Sequence, residues 1–243
     1  MLKEKVRFRW IATAAAVAVL LCFVAGLVAP PRAAAKEPKR DNCRVLVVAF
    51  VGGLGVARFP PSVTTSLLNE MRSVEPTEVC VRPVSTYFPW SAAPWVQKHL
   101  KRHAADVAAG RDEGPEPRII VIGYSLGVPH ALSFARKMDR EHVAIEMLVA
   151  VDSKGFTNGV IAPNVKTAAN YYERELYPMF WPLYYGKKNL RAEDPSRTDF
   201  LGNIQIEHEG HFSIVTAHAV RALLSGAVRD AIMEKTPDAA TGE

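Results

Sequence analysis

The chain has 243 residues, 49% of them hydrophobic, and a formal charge of +5. That length and apolar content allow one sizeable buried core and exclude wholesale disorder. Residues 1–35 hold Lys3, Lys5, Arg7, Arg9 and Arg32 against Glu4, which leaves about +1 on the remainder. A nearly neutral body without a basic stripe speaks against nucleic acid as a partner.

In chain order, the first expected element is an address. Four basic residues, Lys3 to Arg9, precede an uncharged run from Trp10 to Ala29. Twenty helical residues span about 30 Å, the thickness of a bilayer core. Positive charge ahead of such a run holds that end inside and sends the rest across. The length of the run fits an uncleaved anchor, and Ala33-Ala34-Ala35 fits signal-peptidase cleavage before Lys36. Residues 1–35 are therefore read as a signal peptide or membrane anchor, so the protein is expected to be exported and to meet the membrane through this segment. Residues 36–42 read as a linker, 43–235 as one folded domain and 236–243 as a disordered tail.

Cys43 and Cys80 each open an apolar run of strand length. In an oxidising compartment the two can form a disulfide if the strands are neighbours; two buried thiols are the alternative. The run Val45–Phe50 lacks alternation, which predicts a strand covered on both faces. Gly52, Gly53 and Gly55 follow it. Ser62 is placed to cap a helix reaching about Val74, and Val79–Val84 reads as a second strand. Tyr87, Phe88, Trp90 and Trp95 follow. Ser91 is placed to cap a helix that Gly110 ends. Arg118–Ile122 is a third strand, Leu126 to about Arg140 a helix, and Glu146–Val151 a fourth strand. Residues 153–202 give no clean periodicity; within them, Asn164–Tyr185 is rich in aromatics and reads as a cap. Asn203–Glu207 is a last strand, and about 213–234 a last helix. Alternating strands and helices predict right-handed crossovers in a mainly parallel sheet.

The most informative string is Gly123-Tyr124-Ser125-Leu126-Gly127, at the junction of the third strand and the helix after it. This G-x-S-x-G pattern raises a serine hydroxyl on a turn so tight that the residues two before and two after must be small. No Gly-Lys-Ser/Thr is present, so the turn does not read as a nucleotide P-loop. The pattern and its context resemble the α/β-hydrolase superfamily of esterases, lipases and thioesterases, over roughly residues 43–234. The resemblance implies a three-layer α/β/α sandwich with a mainly parallel sheet of about five strands, and catalytic residues in the chain order Ser, acid, His.

A serine needs a base, and an imidazole suits that task. Of seven histidines, the resemblance points to the loop after the last strand, hence to His211 or His208. His211 is preferred because Gly210 loosens the backbone before it and a helix starts after it. His99 and His103, spaced i, i+4 among Lys98, Lys101 and Arg102, read as a solvated face. For the acid, Asp152 ends a buried strand and so stands on the functional edge of a parallel sheet. Asp194 and Asp199, one strand later, are the alternatives. The oxyanion donors are expected from the Leu126 N–H and from the loop after the first strand, at Val51. The reading is a serine hydrolase acting on esters or thioesters with Ser125, His211 and Asp152. An acyltransferase with the same residues and a non-catalytic, membrane-tethered binding protein are the alternatives. No metal or organic cofactor is expected: His208 and His211 are one residue short of His-Glu-x-x-His spacing. The aromatic residues at 87–95 and 171–185 could wall an acyl pocket.

Overall fold

A computed structural model describes residues 43–52, 61–112, 114–155, 157–173 and 189–233. The expected leader, the linker, the tail and most of the expected cap beyond Glu173 lie outside the described residues. Among the described residues, no helix is long and apolar enough to cross a membrane.

Among the described residues, eight strands form two sheets. They are β1 (Val45–Val51), β2 (Val79–Ser85), β3 (Arg118–Tyr124), β4 (Ile145–Val151), β5 (Val160–Ile161), β6 (Val165–Glu173), β7 (Arg191–Ala192) and β8 (Asp199–Ile206). The helices are α1 (Pro61–Val74), α2 (Ala92–Ala108), α3 (Gly127–Arg140) and α4 (His218–Met233). The main sheet has six strands in the order β2-β1-β3-β4-β6-β8, every neighbour pair parallel. β5 and β7 make a small two-stranded sheet of their own.

The unbroken apolar run of β1 is explained by cover on both faces. Leu46, Val48 and Phe50 point into one cluster with Ala92, Val96, Val128, Leu132 and Phe134 of α2 and α3. Val45, Val47 and Ala49 point into another, with Leu67, Leu68 and Met71 of α1 and Val220, Leu224 and Val228 of α4. Period-two alternation thus feeds two cores, and the sheet is the middle layer of three. Each large aliphatic side chain buried here contributes about 1.5–3 kcal/mol.

Three expectations change. The sheet has six strands instead of about five, because β6 passes through the segment read as a cap: Val165–Glu173 pairs with β4 on one side and β8 on the other. Its mixed polar and aromatic composition hid a strand whose residues Ala168–Tyr171 are all buried. The last strand starts at Asp199, four residues earlier than expected. His99 and His103 are half-buried instead of solvated: His99 meets the Trp95 ring edge-on at 4.7 Å, and His103 Nδ1 is 3.3 Å from Asp112 Oδ2. Cys43 and Cys80 are joined in a disulfide that ties the entrance of β1 to the neighbouring β2. Gly110, at φ +64°, ends the α2 segment as expected. Ser91 precedes α2, but its hydroxyl donates back to the Phe88 carbonyl instead of capping the helix.

Candidate active site

Parallel strands end together, so the residues after β1, β3, β4, β6 and β8 converge on one edge of the sheet. Ser125 follows β3 at φ +55°, a left-handed conformation rare for a residue with a side chain. Such a position costs about 1–3 kcal/mol and persists only where its surroundings fix it. Here they do. The Ser125 N–H donates to the Val151 carbonyl at 2.9 Å, and the Ser125 carbonyl accepts from the Val128 and Lys154 N–H groups at 3.1 and 3.2 Å.

The glycines around the turn are steric requirements. A β-carbon on Gly127 would stand 2.0 Å from the Phe50 carbonyl oxygen. One on Gly123 would stand 2.8 Å from the Val128 Cα, and one on Gly52 would stand 2.4 Å from the Ser125 Cβ. Gly52 is therefore the residue of the first loop that presses against the serine. Val51 is the last residue of β1, and Leu126 occupies the N-cap of α3. The first N–H groups of a helix have no partner inside it. Gly53 and Leu54 lie outside the described residues.

Ser125 is 4% exposed, and its Oγ lies 3.2 Å from His211 Nε2. The other ring nitrogen, Nδ1, donates to Asp152 Oδ2 in a short hydrogen bond. Asp152 is 2% exposed and also has a positive φ, +45°; its N–H donates to the Tyr171 carbonyl at 2.7 Å. The preferred serine, histidine and aspartate are thus one hydrogen-bonded chain drawn from three distant parts of the sequence. The alternatives are elsewhere. Asp194 bonds the hydroxyl and N–H of Ser196 on the surface, Asp199 opens β8 opposite Thr167, and His208 is exposed in the loop after β8.

Three residues at this site have no sequence signal. Tyr124 stacks on the His211 ring, 5.3 Å between centroids at 24°, and its hydroxyl donates to the His211 carbonyl at 2.6 Å. Lys154 is 3% exposed, and its ammonium lies 3.2 Å from Asp152 Oδ1 and 3.6 Å from Glu173 Oε1. A lysine three residues past a strand end reads as a surface residue, and Glu173 lies in the expected cap.

The electrostatics follow from these contacts. Burial pushes the Asp152 carboxyl up, but the His211 hydrogen bond and the Lys154 charge outweigh it and hold the group below its ordinary value. Glu173 goes the other way: burial and the Asp152 charge raise it, against the pull of Lys154. Donor atoms of Asp152, Glu173 and His211 lie within 4.8 Å of one another. The Lys154 ammonium already lies against both carboxylates and offsets one of their two negative charges, so the cluster reads as an ionic pairing.

No protein-family model and no curated protein matches the chain. Solved structures do resemble it. The RedJ thioesterase of the prodiginine pathway in Streptomyces coelicolor aligns over 84% of this chain and 91% of its own, at 12% identity and a TM-score of 0.43. A hyperthermophilic esterase from Pyrobaculum calidifontis covers 80% of this chain and 78% of its own, at 14% identity and a TM-score of 0.42. The thioesterase domain that cyclises the lipopeptide surfactin covers 80% and 93%, at 12% identity and 0.38. The fold is of the α/β-hydrolase kind. Its marks are the parallel sheet, the sharp turn after β3, and a serine, an aspartate and a histidine that follow in that order along the chain and meet in space.

Proposed function

We propose that the protein is a serine hydrolase that cleaves carboxylic esters or thioesters. One observation carries the reading: a strained, buried serine whose Oγ is 3.2 Å from an imidazole that is itself held by a buried aspartate. In this reading Ser125 Oγ attacks the acyl carbonyl while its proton passes to His211 Nε2. Asp152 fixes the ring with Nδ1 protonated and stabilises the imidazolium that forms. The negative oxygen of the tetrahedral intermediate is held by the Leu126 N–H and by an N–H of the loop at Val51–Gly52. His211 returns the proton to the departing alkoxide or thiolate as its bond to carbon breaks. A water then attacks the acyl-serine by the same route, giving the free acid and the original hydroxyl.

A fluorophosphonate probe tests this directly: native protein should be labelled and Ser125→Ala should not. An unlabelled, folded native protein would overturn the reading. A series of p-nitrophenyl esters of rising chain length then defines the acyl group, and an added alcohol acceptor separates hydrolysis from transfer.

We further propose that residues 1–35 export the chain and either anchor it or are removed. The support is the basic residues from Lys3 to Arg9 ahead of the apolar run Trp10–Ala29. Intact-mass measurement of the membrane and soluble fractions distinguishes an anchored chain from one starting at Lys36.

A further inference from the structure

A buried lysine beside the acid of the proposed catalytic chain calls for an explanation, because burying an ammonium is costly unless it is paired. Lys154 meets two groups at once with its side chain, Asp152 Oδ1 at 3.2 Å and Glu173 Oε1 at 3.6 Å. Its backbone N–H holds the Ser125 carbonyl at 3.2 Å. One residue therefore links the turn that carries the serine to the carboxylate that holds the histidine. Asp152 offers its two oxygens to opposite partners, Oδ1 to the ammonium and Oδ2 to the imidazole. With one oxygen pinned, the carboxylate cannot rotate away from His211.

We infer that Lys154 and Glu173 are positioning residues: the ammonium fixes Asp152, and the opposed charges of the pair set how firmly His211 holds a proton. The inference rests on the proposed roles of Ser125, His211 and Asp152. Among the described residues, the groups around His211 are Tyr124 and Ser125 from the end of β3, Asp152 and Lys154 from the end of β4, and Glu173 from the end of β6. Glu207, His208 and Glu209 are its titratable neighbours on its own loop; the first two are exposed. Only Lys154 is a buried cation in this set, and it lies against the acid that faces the ring.

The sign follows from the charges. Removing the ammonium leaves two carboxylates facing the imidazole, so the ring keeps its proton to higher pH and the base is disarmed sooner on acidification. Removing the Glu173 charge does the reverse. At a separation of 4–6 Å in a partly buried site, one unit charge moves a neighbouring titration by about one pH unit or more.

The test is the rate of fluorophosphonate labelling against pH for native protein, Lys154→Met, Lys154→Arg and Glu173→Gln. The acid limb should move up by about one pH unit in Lys154→Met and down by a similar amount in Glu173→Gln. It should stay near native in Lys154→Arg, which keeps the charge. A merely structural role would lower the rate without moving the limbs in opposite directions. The downfield proton resonance of the His211 Nδ1–H, followed against pH, reads the same protonation without any reaction. Opposite movements of that resonance in a protein that is not labelled would uphold this inference and sink the hydrolase reading. Labelling with limbs that coincide, or that move together, would overturn the inference and leave the hydrolase reading intact. If Lys154→Met does not fold, Glu173→Gln and Lys154→Arg still decide: a Glu173→Gln limb at the native position overturns it.

Discussion

The two ends of one sheet are built on different principles. At the end where the strands enter, the contacts are covalent or at the surface. The disulfide joins β1 to β2, and Glu146 at the start of β4 bridges Arg118 of β3 at 3.3 Å and Lys166 of β6 at 2.9 Å. The described residues there with positive φ are few and lie in turns, such as Gly110 and His142. At the end where the strands leave, Ser125 and Asp152 are both strained, and Lys154 and Asp152 are out of water with the half-buried Glu173 beside them. The same rungs serve both ends, so the tolerant edge can hold in register an edge that would not hold itself. Loss of the reacting side chains at the exit should therefore abolish reaction with little loss of folding, and loss of the disulfide at the entrance should do the opposite.

The largest effect is expected from the proposed catalytic chain. Ser125→Ala should end fluorophosphonate labelling, and His211→Ala or Asp152→Asn should slow it by about 10³–10⁴-fold. Ser125→Ala should keep its melting free energy within about 1 kcal/mol of native, measured by denaturant titration. Next come the glycines. Gly127→Ala forces a β-carbon to 2.0 Å from the Phe50 carbonyl, and should cost about 3 kcal/mol as well as labelling; a variant of native stability would show that the turn is looser than described. The disulfide follows. It closes a segment of 37 residues, so Cys43→Ala with Cys80→Ala should cost about 2–4 kcal/mol while the folded fraction is still labelled at the native rate. Loss of labelling in the folded fraction would erase the distinction between the two ends.

A smaller effect depends on pH. The Glu173 carboxyl is raised in the folded chain, so its contribution to stability is present below the unfolded value of about 4.5 and is lost as pH rises through the folded value. The difference in melting temperature between Glu173→Gln and native should therefore move in favour of the variant as pH rises from about 4 to 7. A constant difference would mean that Glu173 is not shifted. The smallest effect is at the entrance surface: Arg118→Met should change stability by less than about 1 kcal/mol.

The parts of this site that could be read in the sequence are those with local steric rules. Ser125 was legible because Gly123 and Gly127 flank it and a strand and a helix adjoin it. Asp152 was legible because a carboxylate after a continuous apolar run can only stand at a sheet edge. His211 needed the resemblance, since seven histidines compete and the spacing alone does not separate it from His208. Lys154 and Glu173 were not legible. A buried ion pair is defined by what surrounds it in space, and the partners come from strands that are neighbours only once β4 and β6 pair. β6 itself was missed for the same reason: Asn170, Tyr171 and Tyr172 look like loop residues until the sheet covers them. Tyr124 occupied a variable position of the pattern, where the sequence puts no demand on the side chain, yet its hydroxyl holds the histidine backbone 87 residues away.

The bond between Cys43 and Cys80 also makes this stretch of chain a closed covalent ring, with Gly52 inside it. A protease that cuts once anywhere between the two cysteines would open the ring without releasing a fragment. The glycine that abuts the serine would stay tethered through one arm or the other, and the cut would become visible on a gel only after a reductant is added. For a chain proposed to work outside the cell's reducing interior, a single nick near the reactive edge would then be survivable damage.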